Sequence, residues 1–194
     1  MEVITLNKER FLTKCNELSS RIDFQPDLVM GILEGGGQVV SNITKTLNSK
    51  NVVYIKLKRK TRSKDFFLIG YLLKMLPYKF SNKLRLYESS RENRSMDSLN
   101  LNELTNQSLE FDLENIDLKN IKTVLIVDDA LDTGKTMFIV KNNLGSVLPN
   151  AEFKIAVISW TLENSIVKPD YYLFKNVLVR FPWSKDYRGK DFEK

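Results

Sequence analysis

Apolar positions along this chain follow two rhythms, and the switches between them mark out its elements. Phe11, Leu12, Cys15, Leu18 and Ile22 recur at helical spacing, which predicts an amphipathic helix over residues 7–20. Asp27 to Leu33 holds a short apolar run that predicts a buried strand leading into Glu34-Gly35-Gly36-Gly37. Val39, Val40, Ile43 and Leu47 return to helical spacing, and Val53, Ile55 and Leu57 then alternate as one face of a strand over 51–57. Strand, glycine turn, helix and strand make the repeating unit of an open parallel sheet. The same logic places a strand over 122–128, a helix through Met137, Phe138, Ile139, Val140 and Leu144, and a strand over 153–159. Tyr171 to Phe174 and Val177 to Phe181 read as final extended pieces. Between the halves, Phe66 to Leu76 predicts a helix stopped by Pro77, and Lys83 to Asn120 is polar with little periodicity, which predicts a mobile or inserted region.

Chemistry concentrates where the 122–128 strand ends. Asp128 and Asp129 close the apolar run, Asp132 follows, and Thr133-Gly134-Lys135-Thr136 opens the next helix. Gly134-Lys135-Thr136 invites comparison with a triphosphate-binding loop, but that pattern needs a glycine where Asp129 stands, and a carboxylate there would repel the ligand. Residues 132–136 instead form a turn whose N–H groups and hydroxyls suit one phosphate at a helix N-terminus. The two acids just upstream are placed for vicinal sugar hydroxyls.

Composition narrows the chemistry further. The 194 residues suit one domain, and no stretch is apolar and long enough to span a bilayer. Histidine is absent, which removes any histidine base, triad or zinc site. A single cysteine, Cys15, excludes an internal disulfide and fits a reducing cytoplasm, and no N-terminal stretch has the pattern of a secretion signal. The formal charge of +6 suits an anionic small molecule or a nucleic acid equally.

The run Val-Asp-Asp-Ala-Leu-Asp-Thr-Gly-Lys-Thr resembles the signature of the type I phosphoribosyltransferases, and within them the hypoxanthine-guanine-xanthine branch. Gly31 to Gly36 resembles that branch's pyrophosphate loop, and Val53 to Lys58 resembles the strand entering its flexible loop. Lys168-Pro-Asp-Tyr-Tyr172 and Phe181-Pro-Trp183 resemble its base-binding region. The resemblance implies one α/β domain over 1–194, with an open, mainly parallel sheet flanked by helices. Its core would take about 27–60 and 121–160, an inserted flexible or helical part about 61–120, and a small hood-like, base-binding part about 161–194.

It further implies transfer of ribose 5-phosphate from phosphoribosyl pyrophosphate to a nucleobase, most closely a 6-oxopurine for purine salvage, with Mg2+ as cofactor and a homodimer in the cytoplasm. Asp128 and Asp129 would hold the ribose, Asp132 would manage a proton on the base, and Asp132, Thr133, Gly134, Lys135 and Thr136 would bind the 5-phosphate. Glu34, Gly35 and Gly36 would meet the pyrophosphate, under a closing loop carrying Lys58, Arg59 and Lys60. Trp183 and Lys168 would receive the base, and Asp128, Asp129 and Asp186 are the candidate metal carboxylates. The chain departs from the family at three places. Glu34 stands where a cation is usual, Trp160-Thr161 where a base-reading lysine is usual, and Ser184 where an acid is usual. These departures motivate a rival expectation: a nucleotide-binding regulator of the same fold that has lost its chemistry, possibly associated with nucleic acid.

Overall fold

The computed structural model describes residues 1–56, 75–96, 99–107, 109, 111–114 and 116–191. The chain begins with a short strand β1 (Glu2–Thr5) and helix α1 (Lys8–Arg21), whose first turn is capped by the Asn7 side chain accepting from Arg10 N–H at 2.9 Å. Then come β2 (Leu28–Ile32), α2 (Gly35–Leu47) and β3 (Asn51–Ile55). Helices α3 (Tyr78–Ser95) and α4 (Leu101–Thr105) lead to the second half. That half comprises β4 (Thr123–Leu131), α5 (Lys135–Val147), β5 (Glu152–Trp160), β6 (Tyr171–Lys175) and β7 (Val177–Arg180).

Five strands form one parallel sheet in the order β3-β2-β4-β5-β6, while β1 and β7 pair in parallel apart from it. Both faces of the large sheet are covered, which explains why its central strands are continuous apolar runs. On one face, Val29, Leu125, Val127, Ala156 and Ile158 pack against α1 and α2 through Phe11, Cys15, Leu18, Val39, Val40 and Ile43. On the other, Leu28, Met30, Val124, Ile126, Ile155 and Val157 meet Met137, Val140 and Leu144 of α5. This order sets β2 beside β4 and starts α2 and α5 at the same edge. No helix among the described residues is long and apolar enough to cross a membrane.

Two expectations are corrected, and one strand was not foreseen. The strand read as 122–128 continues to Leu131, pairing Ala130 with Ser159 and Leu131 with Trp160, so Asp128 and Asp129 lie within β4 instead of at its end. The polar stretch from Lys83, read as a mobile or inserted region for want of periodicity, begins inside the 18-residue helix α3, which runs to Ser95. The helix buries Ser81 and Ser89 while Phe80, Leu84 and Tyr87 stay exposed, so its packing left no apolar stripe to read. β1 carried no signal of its own because its partner β7 lies at the other end of the chain. The proposed helix over 66–76 and the basic residues Lys58, Arg59 and Lys60 lie outside, or almost wholly outside, the described residues.

A buried ion cluster joins α3, β1, β7 and the C-terminal segment. Arg180, 1% exposed, donates through Nε to Asp186 at 2.8 Å, to Thr5 at 2.8 Å, and to Ser81 at 3.0 Å and Asn82 at 2.6 Å. Arg85 of α3 adds a second pair of bonds to Asp186, at 3.0 and 2.5 Å. Burial alone would raise the Asp186 carboxyl, but the two guanidiniums hold it at about 2. Removing one partner of such a cluster strands a buried charge, so Asp186→Ala should cost about 3 kcal/mol or more of stability by denaturant unfolding. Because the folded carboxyl lies below its unfolded value, the Asp186 contribution is complete above about pH 4 and disappears as pH falls through about 2. Asp186→Asn should flatten that part of the stability curve.

Candidate functional site

The carboxyl ends of β2 and β4 open into a cavity of about 800 Å³, lined from both halves of the chain. From the first half come Leu33, Glu34, Gly35 and Lys56; from the second, Asp128 through Met137 and Trp183; Glu92 reaches in from α3. The order of the sheet explains the meeting. β2 and β4 are adjacent and parallel, so the segments that follow them, residues 33–35 and 132–136, face each other across one edge.

Close approach at that edge requires glycine. A Cβ on Gly35 would collide with the Asp129 carboxylate, and one on Gly36 would strike the Val127 carbonyl and come within 2.9 Å of Asp128 Cα. The absence of side chains lets the start of α2 sit directly against the acids. The peptide between Leu33 and Glu34 is cis. Across the cavity, Gly134 precedes α5 at φ +78°, a conformation that favours glycine, and a Cβ there would come within 3.0 Å of Val167 N. Thr133 accepts through its carbonyl from Ile166 N–H at 3.0 Å, so the β5–β6 connection braces the turn from behind. Neither N-cap residue, Glu34 of α2 nor Gly134 of α5, makes a side-chain cap, and Lys135 N–H reaches a side-chain oxygen, Thr133 Oγ1, at 3.5 Å; both helix N-termini lie at the cavity.

The acids are tightly held. Asp129 N–H donates to Asp128 Oδ1 at 2.8 Å, and Ala130 N–H donates to Asp129 Oδ1 at 2.9 Å. Trp183 Nε1–H donates to Asp129 Oδ2 at 2.8 Å. The Thr161 hydroxyl donates its one proton to Asp132 Oδ1, with the Leu131 carbonyl a second acceptor within reach at 3.2 Å. Desolvation raises the Asp129 carboxyl above its ordinary range despite these donors. Asp132, although open to solvent at the cavity mouth, is likewise raised by partial desolvation, with the Thr161 hydroxyl and the charge of Arg85 opposing the shift. Glu92 is raised by desolvation and then by the charges of Asp132 and Glu88.

Most of the residues singled out in the sequence meet here: Glu34, Gly35, Asp128, Asp129, Asp132, Thr133, Gly134, Lys135, Thr136 and Trp183. Gly36 lies behind the wall, shaping it without lining it. Lys168 is exposed and lines no part of the cavity. Asp186 is spent on Arg85 and Arg180 and contributes no carboxylate to the site. Ser184 caps the turn before it, its Oγ accepting from Phe181 N–H at 3.0 Å. Trp160, beside Thr161, faces away, donating to Ser165 and packing on Tyr172. Lys56, Glu92, Arg85 and Thr161 were missed. Thr161 alone carried a signal, as the residue following a buried strand end.

Whether magnesium fits can be judged from the donors. Among the described residues no group of three or more histidine, cysteine, aspartate or glutamate side chains is disposed to hold a metal ion. Two of the carboxylates at the cavity, Glu34 and Asp128, fit an ion that arrives on a diphosphate and takes one or two protein oxygens.

The phosphoribosyl transferase domain family matches residues 5–188. The purine phosphoribosyltransferase of Pyrococcus horikoshii has a similar structure, with TM-score 0.60 and 21% identity over 95% of each chain. The xanthine-guanine-hypoxanthine phosphoribosyltransferase of Helicobacter pylori gives TM-score 0.60 and 16% identity over 94% of each chain. A hypothetical protein of Neisseria gonorrhoeae with bound ppGpp gives TM-score 0.55 and 14% identity over 94% of this chain and 89% of that one. No curated protein matches the sequence. With a family match running almost end to end and the same fold in the solved structures, this chain belongs to the phosphoribosyl transferase family.

Proposed function

We propose that the protein transfers ribose 5-phosphate from phosphoribosyl pyrophosphate to a nucleobase, a 6-oxopurine by preference, and releases pyrophosphate. The observation that carries this reading is the convergence of Asp128, Asp129 and the uncapped Thr133–Thr136 turn in one cavity, facing Glu34-Gly35 across the sheet edge. The purine preference rests on the resemblance of the 124–136 motif and on the purine enzymes that share the fold.

Within this reading each group has a task. The N–H groups at the start of α5, with the Thr133 and Thr136 hydroxyls, hold the 5-phosphate. Asp128 and Asp129 accept from the ribose hydroxyls, and those bonds strengthen as positive charge builds on the ring during departure of the diphosphate. Asp132, with a raised carboxyl, takes a proton from the incoming base nitrogen. Trp183 closes the wall on the base side, and the N-terminus of α2 faces the diphosphate. Magnesium, when bound, supplies charge neutralisation to the diphosphate, with Asp128 and Glu34 as its protein oxygens.

The runner-up is a nucleotide-binding regulator that retains the sugar-phosphate half of the site. Glu34 at the pyrophosphate loop and the absence of Lys168 from the cavity favour it. Pyrophosphate release assayed across a panel of nucleobases separates the two: turnover with a purine supports the transferase, and saturable nucleotide binding without turnover supports the regulator.

Three further outcomes follow. Asp132→Asn should lower kcat by about 100-fold or more while leaving ribose 5-phosphate affinity within a fewfold of the original, measured by steady-state kinetics and calorimetry. Since Thr161 donates to the ionised form of Asp132, Thr161→Val should move the acid limb of the kcat profile to higher pH. Five carboxylates and two lysines line the cavity among the described residues, so a bare diphosphate meets net negative charge. Chelating magnesium should therefore abolish binding of phosphoribosyl pyrophosphate but spare that of ribose 5-phosphate, which calorimetry with and without EDTA will show.

A further inference from the structure

Trp183 enters the cavity from the C-terminal segment with its ring locked by the core. It stacks on Phe181 at 4.9 Å between centroids with 7° between planes, and meets Phe11 edge-on at 4.9 Å. A ring held this firmly aims its Nε1–H in one direction, and that direction is Asp129 Oδ2. The other oxygen of this carboxylate accepts from Ala130 N–H, and the side chain also hydrogen-bonds Asp128. Gly35 presses on it from the opposite wall. Asp129 is therefore seated from three sides by strand β4, the start of α2 and an indole that arrives from 54 residues further along the chain.

Resting on the reading of this cavity as a ribose 5-phosphate site, we propose that Trp183 is a positioning residue whose indole N–H aims Asp129 and thereby makes the site distinguish ribose from deoxyribose. A carboxylate rewards a sugar hydroxyl only if it is already oriented, because ordering it at the moment of binding would use up the gain. The indole N–H, fixed by the stacked ring, holds one oxygen of Asp129 while Ala130 N–H holds the other, so the plane of the carboxylate is set before a ligand arrives. Trp183, Ala130 and Asp128 take three of the carboxylate's acceptor positions, and one remains for a ligand. Base stacking is a separate property of the same ring: it needs the face, whereas this role needs the N–H.

The two roles part under substitution. Trp183→Phe keeps an aromatic face on Phe181 and deletes the donor, whereas Trp183→Leu deletes both. Calorimetry would give affinities for ribose 5-phosphate and 2-deoxyribose 5-phosphate. The unsubstituted protein should prefer ribose by about tenfold or more, and both variants should bring the two sugars to nearly equal affinity. Retention of the preference in Trp183→Phe, an equal loss of affinity for both sugars, or no preference in the unsubstituted protein each overturns the inference. A second measurement needs no substitution at position 183. The Trp183 indole N–H resonance, identified by its persistence in Trp160→Phe, should shift more with ribose 5-phosphate than with the deoxy sugar; equal or absent shifts overturn the proposal. Turnover decides the parent reading independently, since a ribose preference without transfer to any nucleobase removes the transferase and leaves the role of Trp183 intact.

Discussion

How near α2 can come to β4 sets everything else at this site. Side chains at Gly35 or Gly36 would overlap the Asp129 carboxylate or the Val127 carbonyl, so the helix start would have to retreat. Retreat would separate the two walls that face each other across the β2–β4 edge and part the segment 33–35 from the acids. The parallel sheet brings the strands together, but only the missing side chains let the loops behind them share one ligand-sized volume. Two uncapped helix N-termini then act on the same space, each contributing roughly half a positive charge where a phosphate would lie.

Against those helix ends stands an excess of acid. Glu34, Glu92, Asp128, Asp129 and Asp132 share the cavity with Lys56 and Lys135. Such crowding costs stability in the unliganded protein, since desolvation raises Asp129, Asp132 and Glu92 and makes their ionised forms unfavourable. The cost is tolerable because the framework around it is strong: a sheet buried on both faces and the Arg180–Asp186–Arg85 cluster that anchors the C-terminal segment to α3 and β1. Strained electrostatics at one edge and a rigid fold behind it are what a site for a charged transition state requires.

The parts legible in the sequence are those whose meaning is local. Residues 124–136 encode a strand, two acids, a glycine turn and a helix in unbroken order, so the pattern alone located them. The glycines at 35–37 were readable for the same reason, although what they approach was not. Lys168 and Asp186 were read from their distance along the chain to neighbouring motifs, and three-dimensional placement overrode both: Lys168 stays in solvent, and Asp186 lies between two arginines. Helix α3 escaped because it packs through Ser81, Arg85 and Ser89 while Phe80, Leu84 and Tyr87 face outward, which inverts the rule that periodic apolar residues mark the buried face. Glu92 and Arg85 were lost with it, and so was the means by which the region between the halves reaches the site.

Comparing the aspartates shows how one residue type is given different work. Asp186 receives two guanidiniums, sits at about 2, and is fixed as a permanent anion in the framework. Asp129 and Asp132 receive neutral donors instead, the Trp183 indole and the Thr161 hydroxyl, and both carboxyls stay above their ordinary range. A cation close enough to lower them as far would have competed with the ligand and left a weak base. A neutral donor orients a carboxylate while leaving its proton affinity high, which suits groups that must accept from a sugar or take a proton. Both donors belong to the second half of the chain, beyond the motif that supplies the acids. The motif therefore provides the carboxylates, and the residues that follow it decide in what state those carboxylates are held.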